Sequence, residues 1–157
     1  MNLKKIIATL SFLLLLNCGY EPIYSKKQIN GNYSFSINSI NYIGDNKVNQ
    51  ILKNQLQKTL NKEKKSSELN LNLNSRVDKI ITSKDKKGNP KRFLIKIIIH
   101  LEVYESEILK GKKNFEEKYE YNNKSNKFDL NQYEKNIKDN LISKLSDEII
   151  RYLNSLR

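Results

Sequence analysis

The length, composition and charge of the chain exclude several kinds of protein. It has 157 residues, of which 38% are hydrophobic, and 29 Lys and Arg against 17 Asp and Glu give a formal net charge of +12. The length suits one ordinary domain with a modest core. One His and one Cys are too few for a zinc site made of these two residue types. The positive charge favours polyanionic partners, although surface lysines can also serve only to keep the domain in solution.

The first residues predict export and a lipid anchor. Lys4 and Lys5 precede Ile6–Leu16, which contains no charge. This apolar run is about half of the ~20 residues that a membrane-spanning helix needs, and its basic start is typical of a secretion signal. Leu15-Leu16-Asn17-Cys18 resembles the bacterial lipobox, in which the cysteine is acylated and becomes the new N-terminus; Asn17 departs from the small residue usual at that position.

We therefore predict a lipoprotein signal peptide over residues 1–17 and an N-acyl diglyceride, with palmitate among its chains, on Cys18. Residues 18–32 would be the tether from this anchor to the domain. The alternative is that Cys18 is a buried thiol that packs as a small hydrophobe. No other cofactor is expected. Because the protein is expected to be exported, nucleic acid is not expected as a partner. The anions of a cell envelope are lipid headgroups and lipopolysaccharide phosphates.

The first half of the predicted domain reads as a strand followed by a helix. Tyr33–Ile37 alternates apolar and polar residues, which predicts a strand over about 33–42. Asp45 is placed to cap a helix over about 46–62. The apolar stripe of that helix has three- and four-residue spacing and consists of Val48, Ile51, Leu52, Leu56 and Leu60.

Three strands are predicted next, joined by two turns into an antiparallel meander. The strands cover about 68–82, 92–104 and 113–122, and the turns cover residues 83–90 and Ile108–Lys113, which contains Gly111. The second strand has apolar residues on both faces, which predicts a central position in the sheet. Its strongly apolar face consists of Phe93, Ile95, Ile97, Ile99, Leu101 and Val103.

A long helix ends the chain. No Gly or Pro interrupts Leu130–Arg157, and an apolar residue recurs along one face. Asp129 with Gln132 has the spacing of a capping box, and Phe128 with Tyr133 has the spacing of a hydrophobic staple. The predicted fold over residues 33–157 is thus a single α+β domain. It is a two-layer sandwich in which a four-stranded, mostly antiparallel sheet carries two helices on one face, in the order strand-helix-strand-strand-strand-helix.

The start of the mature chain is similar to that of a known family. Cys18-Gly19-Tyr20-Glu21-Pro22-Ile23-Tyr24 resembles the Cys-Gly-aromatic-x-Pro-aliphatic-Tyr start of the lipopolysaccharide-assembly lipoprotein family LptE, and the predicted element order also matches. The resemblance implies an outer-membrane lipoprotein that binds the β-barrel LptD, sits largely in its lumen and helps deliver lipopolysaccharide to the outer leaflet. Because Gly19 is not the aspartate that retains lipoproteins in the inner membrane, outer-membrane delivery is expected.

The candidate binding site is the first turn of the meander. Five basic residues fall near this turn with one acid, Asp85, and they can form charge-assisted hydrogen bonds to the phosphates of lipopolysaccharide: Lys84, Lys86, Lys87, Lys91 and Arg92. The alternative is an ordinary solvated hairpin tip.

No enzyme is predicted. His100 lacks partner residues, and the glutamates near the second turn (Glu102, Glu105, Glu107, Glu116 and Glu117) alternate with lysines as on a solvated edge. The alternative function is a periplasm-facing lipoprotein that binds anionic lipid or a secretion pore and has no part in lipopolysaccharide assembly.

Overall fold

The computed structural model describes residues 35–59 and 67–156. The predicted signal peptide, Cys18, the tether and the family-like heptapeptide lie outside these residues, as does Leu60. The described residues belong to the unit Gly31–Arg157. Their elements are β1 (Phe35–Gly44), α1 (Asn46–Thr59), β2 (Ser67–Lys84), β3 (Pro90–Glu105), β4 (Ile108–Asn122) and α2 (Lys127–Ser155).

The four strands form one sheet in the order β1-β2-β3-β4. β1 is parallel to β2, because α1 carries the chain back to the starting edge between them. The β2–β3 and β3–β4 pairs are antiparallel. This confirms the predicted mostly antiparallel sheet, the element order and the central position of β3.

Both helices cover one face of this sheet. The six apolar residues of β3 that alternate from Phe93 to Val103 are all buried, and they share one core cluster with apolar residues of α1 and α2. Burial of these side chains is the main favourable term in folding. The opposite face carries rungs of polar residues, such as Asn74, His100 and Asn114, which confirms the predicted two-layer sandwich.

At the junction of β1 and α1, Asp45 caps the helix as predicted. The Asp45 carboxylate accepts hydrogen bonds from the backbone N–H groups of Lys47 and Val48 at 3.0 and 2.9 Å. Gly44 precedes it with φ +97°, and a Cβ there would lie 1.9 Å from the carbonyl oxygen of Ser75. Only glycine therefore allows β1 to end this close to β2.

The predicted cap of the last helix is wrong. Asn126, not Asp129, is the N-cap, and its side-chain oxygen accepts from Phe128 N and Asp129 N at 2.9 and 3.4 Å. Asn and Asp cap about equally well, so residue type does not decide between two sites three positions apart. The earlier start places Phe128 inside the first turn, where it is 76% exposed and forms no staple.

The predicted second turn is also wrong. β3 and β4 are joined by the two residues Ser106 and Glu107, with φ of +47° and +69°. Such a left-handed pair is the backbone of the tight turns that match strand twist, although neither residue is glycine. Gly111 lies within β4 instead. A Cβ there would come within 2.4 Å of the Tyr152 hydroxyl oxygen and 2.8 Å of Leu156 Cδ2, so this glycine lets the end of α2 approach the strand.

Candidate functional site at the basic hairpin tip

The structure brings the five predicted basic residues together at one end of the molecule. Lys84 ends β2 and pairs with Pro90 at the start of β3, while Arg92 pairs with Ser83. All five basic residues are exposed. We call residues 84–92 the basic tip.

A network within the turn fixes the backbone of the basic tip. Asp85 Oδ1 accepts from the backbone N–H groups of Lys87 and Asn89, both at 2.8 Å. Asp85 Oδ2 accepts from Asn89 Nδ2 at 3.1 Å, and the N–H of Gly88 donates to the Asp85 carbonyl at 3.0 Å. These bonds, led by that from the Asn89 side chain, hold the pKa of Asp85 below its ordinary value. The one acid of the tip thus binds backbone amides.

The lysines of the basic tip keep their charge available. Within residues 35–59 and 67–156, no salt bridge involves Lys84, Lys86, Lys87 or Lys91. Arg92 differs, because its guanidinium lies 3.6 Å from the Glu120 carboxylate, which also accepts from the Thr82 hydroxyl at 2.5 Å. Four free ammonium groups and one partly paired guanidinium therefore face solvent.

The β4–α2 connection adds two cations that the sequence analysis missed. Asn123 donates from its backbone to the Lys91 carbonyl and from its side chain to the Pro90 carbonyl, each at 2.9 Å. These bonds hold the connection beside the hairpin, with exposed Lys124 and Lys127 on it. More than 30 residues separate Asn123 from Pro90, so only the β3–β4 pairing shows that they are neighbours.

Apolar side chains lie close to these cations along the chain. Ile80 and Ile81 are about half exposed on β2, a few residues before the turn, and Phe128 is exposed at the start of α2. Most exposed apolar residues occur singly and need no explanation. Here they share one end of the molecule with seven basic residues, an arrangement that suits an anionic amphiphile.

A half-buried ion pair secures the base of the hairpin to α2. Lys79 Nζ lies 2.6 Å from Glu134 Oε1, which also accepts from the Tyr121 hydroxyl at 2.7 Å. Burial raises the pKa of Glu134, but the bonds from Lys79 and Tyr121 outweigh it and leave this pKa below its ordinary value. Burial, followed by the bond to Glu134, raises the pKa of Tyr121. The Lys79 ammonium also lies 4.4 Å from the centre of the Phe93 ring.

Three other polar residues considered from the sequence, His100, Glu102 and Glu105, have structural partners. His100 Nδ1 lies 2.6 Å from Asn114 Oδ1 on the helix-free face of the sheet. Glu102 accepts from Lys112 at 2.8 Å, and Glu105 lies 3.0 Å from Lys110. In the part of the chain that the structure describes, no three His, Cys, Asp or Glu side chains are placed to hold a metal ion. No helix in that part is long and apolar enough to span a membrane.

The fold and the site define the class of protein: a two-layer α+β domain with a basic, partly apolar hairpin at one end. Solved structures of bacterial lipoproteins have a similar fold. Rare lipoprotein B from Shewanella oneidensis has a TM-score of 0.57 at 10% identity, over 75% of this chain and 95% of that one. A minor lipoprotein from Acinetobacter baumannii also gives 0.57, at 11% identity, over 78% and 92% of the two chains.

A third similar structure is a lipoprotein B from Nitrosomonas europaea, with a TM-score of 0.52 at 12% identity over 80% of this chain and 88% of that one. Neither a family model nor a curated protein sequence matches the chain. At these identities the likeness concerns the fold, and for the fold the resemblance predicted from the sequence is confirmed.

Proposed function

We propose that this protein is a lipoprotein of the outer membrane that acts as members of the LptE family do. It would be anchored through acylated Cys18, bind the β-barrel LptD and help deliver lipopolysaccharide to the outer leaflet, without catalysing a reaction. The fold supports this proposal, since the rare lipoprotein B structures belong to that family. The observation that carries it is the basic tip, with free lysines beside exposed apolar residues.

The chemistry of the tip suits the phosphates of a glycolipid. Lysine ammonium groups act as point charges with three rotatable donors, so they can follow phosphates whose positions vary. Bonds between ammonium and phosphate are charge-assisted and roughly twice as strong as neutral ones. Ile81, which lies on the helix side of the sheet beside Phe93, and Phe128 at the start of α2 would meet the apolar part of the same molecule. The hydrogen bonds of Asp85 fix the backbone that carries these lysines, so binding does not have to order the turn itself.

The helix-free face of the sheet supports a place inside a barrel. Its rungs combine amide, imidazole and charged side chains, as in Asn72, Glu102 and Lys112 or in Asn74, His100 and Asn114. The interiors of large outer-membrane barrels are polar. This face also carries Ile80, Leu94 and Ile98, so its polar rungs are the part that suits such a lumen.

The second candidate is a periplasm-facing lipoprotein that binds anionic lipid or a secretion pore. The free lysines of the basic tip also favour this second candidate, because they can bind the phosphate of any anionic lipid. The two proposals are separated by pull-down from detergent-solubilised membranes of the producing cell. Recovery of a large outer-membrane barrel in equal amount supports the LptE-like role, and recovery of a secretin or of lipid alone contradicts it.

A further inference from the structure

The end of the sheet opposite the basic tip exposes two adjacent apolar residues. Ile108 and Leu109 open β4 directly after the Ser106–Glu107 turn and are 64% and 52% exposed. They point to opposite sides of the strand, yet neither is covered by the helix layer. Because β4 is an edge strand, the two side chains form an apolar corner of the domain, which we call the β4 corner.

The register of the sheet places the entry of the chain at this same end. Phe35 pairs with Ser67, Leu69 pairs with Glu105, and Glu105 pairs with Ile108. The segment that leads from Cys18 therefore joins the domain at the end that carries the β4 corner. The 17 residues from Cys18 to Phe35 can span at most ~60 Å, at ~3.5 Å per residue.

Charges around the β4 corner are largely paired. Glu105 lies 3.0 Å from Lys110, and Glu102 lies 2.8 Å from Lys112. Exposed Glu68, Glu107 and Lys113 lie outside these pairs, so the charge left over at this end is small. The basic tip is roughly 50 Å away, measured from Leu69 to Lys84 on β2 at ~3.3 Å per residue.

We propose that the β4 corner rests in the interfacial layer of the leaflet that holds the lipid anchor. Ile108 and Leu109 would lie at the boundary of headgroups and acyl chains, while Ser106 and Glu107 stay in the hydrated headgroup layer. The anchor holds the domain at high effective concentration above the leaflet, so a contact of two side chains is sufficient. The contact orients the sheet and directs the basic tip away from that leaflet. This inference rests on the anchor of the proposed function.

The test uses two features of the sequence: a single cysteine and no tryptophan. The full chain is coupled through Cys18 to maleimide-bearing lipid in phosphatidylcholine vesicles, so attachment does not depend on natural acylation. These vesicles have no net charge and do not attract the basic tip. Leu109→Trp and Ile108→Trp provide reporters at the β4 corner, and Phe128→Trp is the matched control at the opposite end. All three positions are exposed, so the variants are expected to fold.

We expect blue-shifted emission for both corner reporters, and quenching by lipids brominated in their acyl chains. The Phe128→Trp reporter should keep the emission that it has in uncoupled protein. The proposal is overturned if the corner reporters keep their uncoupled emission, or if all three reporters respond equally. An unmodified Cys18 in the native protein would overturn the proposed anchor and this inference with it, whereas corner reporters that do not respond in the coupled protein overturn this inference alone.

Discussion

Lys79 and Glu134, 55 residues apart in sequence, meet at 2.6 Å between β2 and α2. Glu134 is nearly buried, whereas the Lys79 side chain is 41% exposed. The Tyr121 hydroxyl completes the group from β4. Three elements are thus joined at the point where the hairpin leaves the helix layer, and this junction supports the basic tip.

Loss of this junction should destabilise the domain. Glu134→Ala leaves the Tyr121 hydroxyl and the Lys79 ammonium without their acceptor, and we expect the free energy of unfolding to fall by about 2 kcal/mol. The measurement is urea unfolding followed by circular dichroism. Asp78→Ala removes an acceptor from the more exposed pair with Arg76 and should cost less than about 1 kcal/mol. Equal effects of the two variants would show that the Glu134 group contributes no special stability.

The same junction predicts a pH dependence. Because the pKa of Glu134 is lowered in the folded state, its contribution is fully present above the pKa of the unfolded chain and is lost as pH falls through the folded value. The difference in unfolding free energy between wild type and Glu134→Gln should therefore shrink as pH falls below about 4.5. A difference that stays constant from neutral to acidic pH would contradict the ionised pair.

Gly111 should resist substitution for a packing reason. A Cβ at this position meets the Tyr152 hydroxyl oxygen and Leu156, so Gly111→Ala should lower the free energy of unfolding by about 1–3 kcal/mol, the usual cost of overpacking. Adding Tyr152→Phe removes the nearest atom and should recover part of this loss. If Gly111→Ala costs the same stability with and without Tyr152→Phe, the contact between residue 111 and the Tyr152 hydroxyl is not the cause. That result would contradict the packing explanation.

The basic tip should carry the binding of lipopolysaccharide. Replacing Lys84, Lys86, Lys87, Lys91 and Arg92 together by Ser removes five charges, and binding should become weak at every salt concentration. Wild-type binding should weaken as salt rises, because salt screens exposed charges. Stability should change little, since exposed lysines contribute little to folding.

The matched control for the tip replaces five exposed basic residues on the helices by Ser: Lys47, Lys53, Lys135, Lys144 and Arg151. It removes the same charge and should keep near-wild-type affinity. Equal losses in both variants would indicate attraction by net charge alone. Unchanged affinity of the tip variant at low salt would leave the tip lysines as solubilising surface.

Cys18 should be the acylated N-terminus of the mature protein. Each buried methylene adds about 0.8 kcal/mol, so several acyl chains together hold a protein firmly in a membrane. Intact-mass analysis of protein purified from membranes should show the loss of residues 1–17 and the added mass of the acyl groups. Cys18→Ser should keep the precursor mass. Residues 1–17 retained in the wild type would contradict the prediction.

Local sequence determined most of the elements of this fold. Alternation of apolar and polar residues predicted the four strands, and apolar stripes predicted both helices, because these periods follow directly from backbone geometry. The two apolar stripes and one strong apolar sheet face also predicted the layers correctly. Asp45 was identified correctly as a cap because it follows Gly44, which ends the strand pattern, and directly precedes the apolar stripe of α1. The charge of the basic tip could be read from sequence, since its five members lie within nine consecutive positions.

Tertiary structure decided what depends on partners distant in sequence. Gly111 looked like a turn residue, and only the approach of Tyr152 shows that it serves packing. Asn126 and Asp129 are residue types that cap a helix about equally well. The hydrogen bonds from Asn123 to the hairpin fix the chain just before Asn126, and α2 begins there. Lys124 lies beside the basic tip, and Glu134 lies at the base of the hairpin. Both positions arise because β4 and α2 return to the β2–β3 hairpin. Such contacts arise from sheet register and helix docking, which no local pattern specifies.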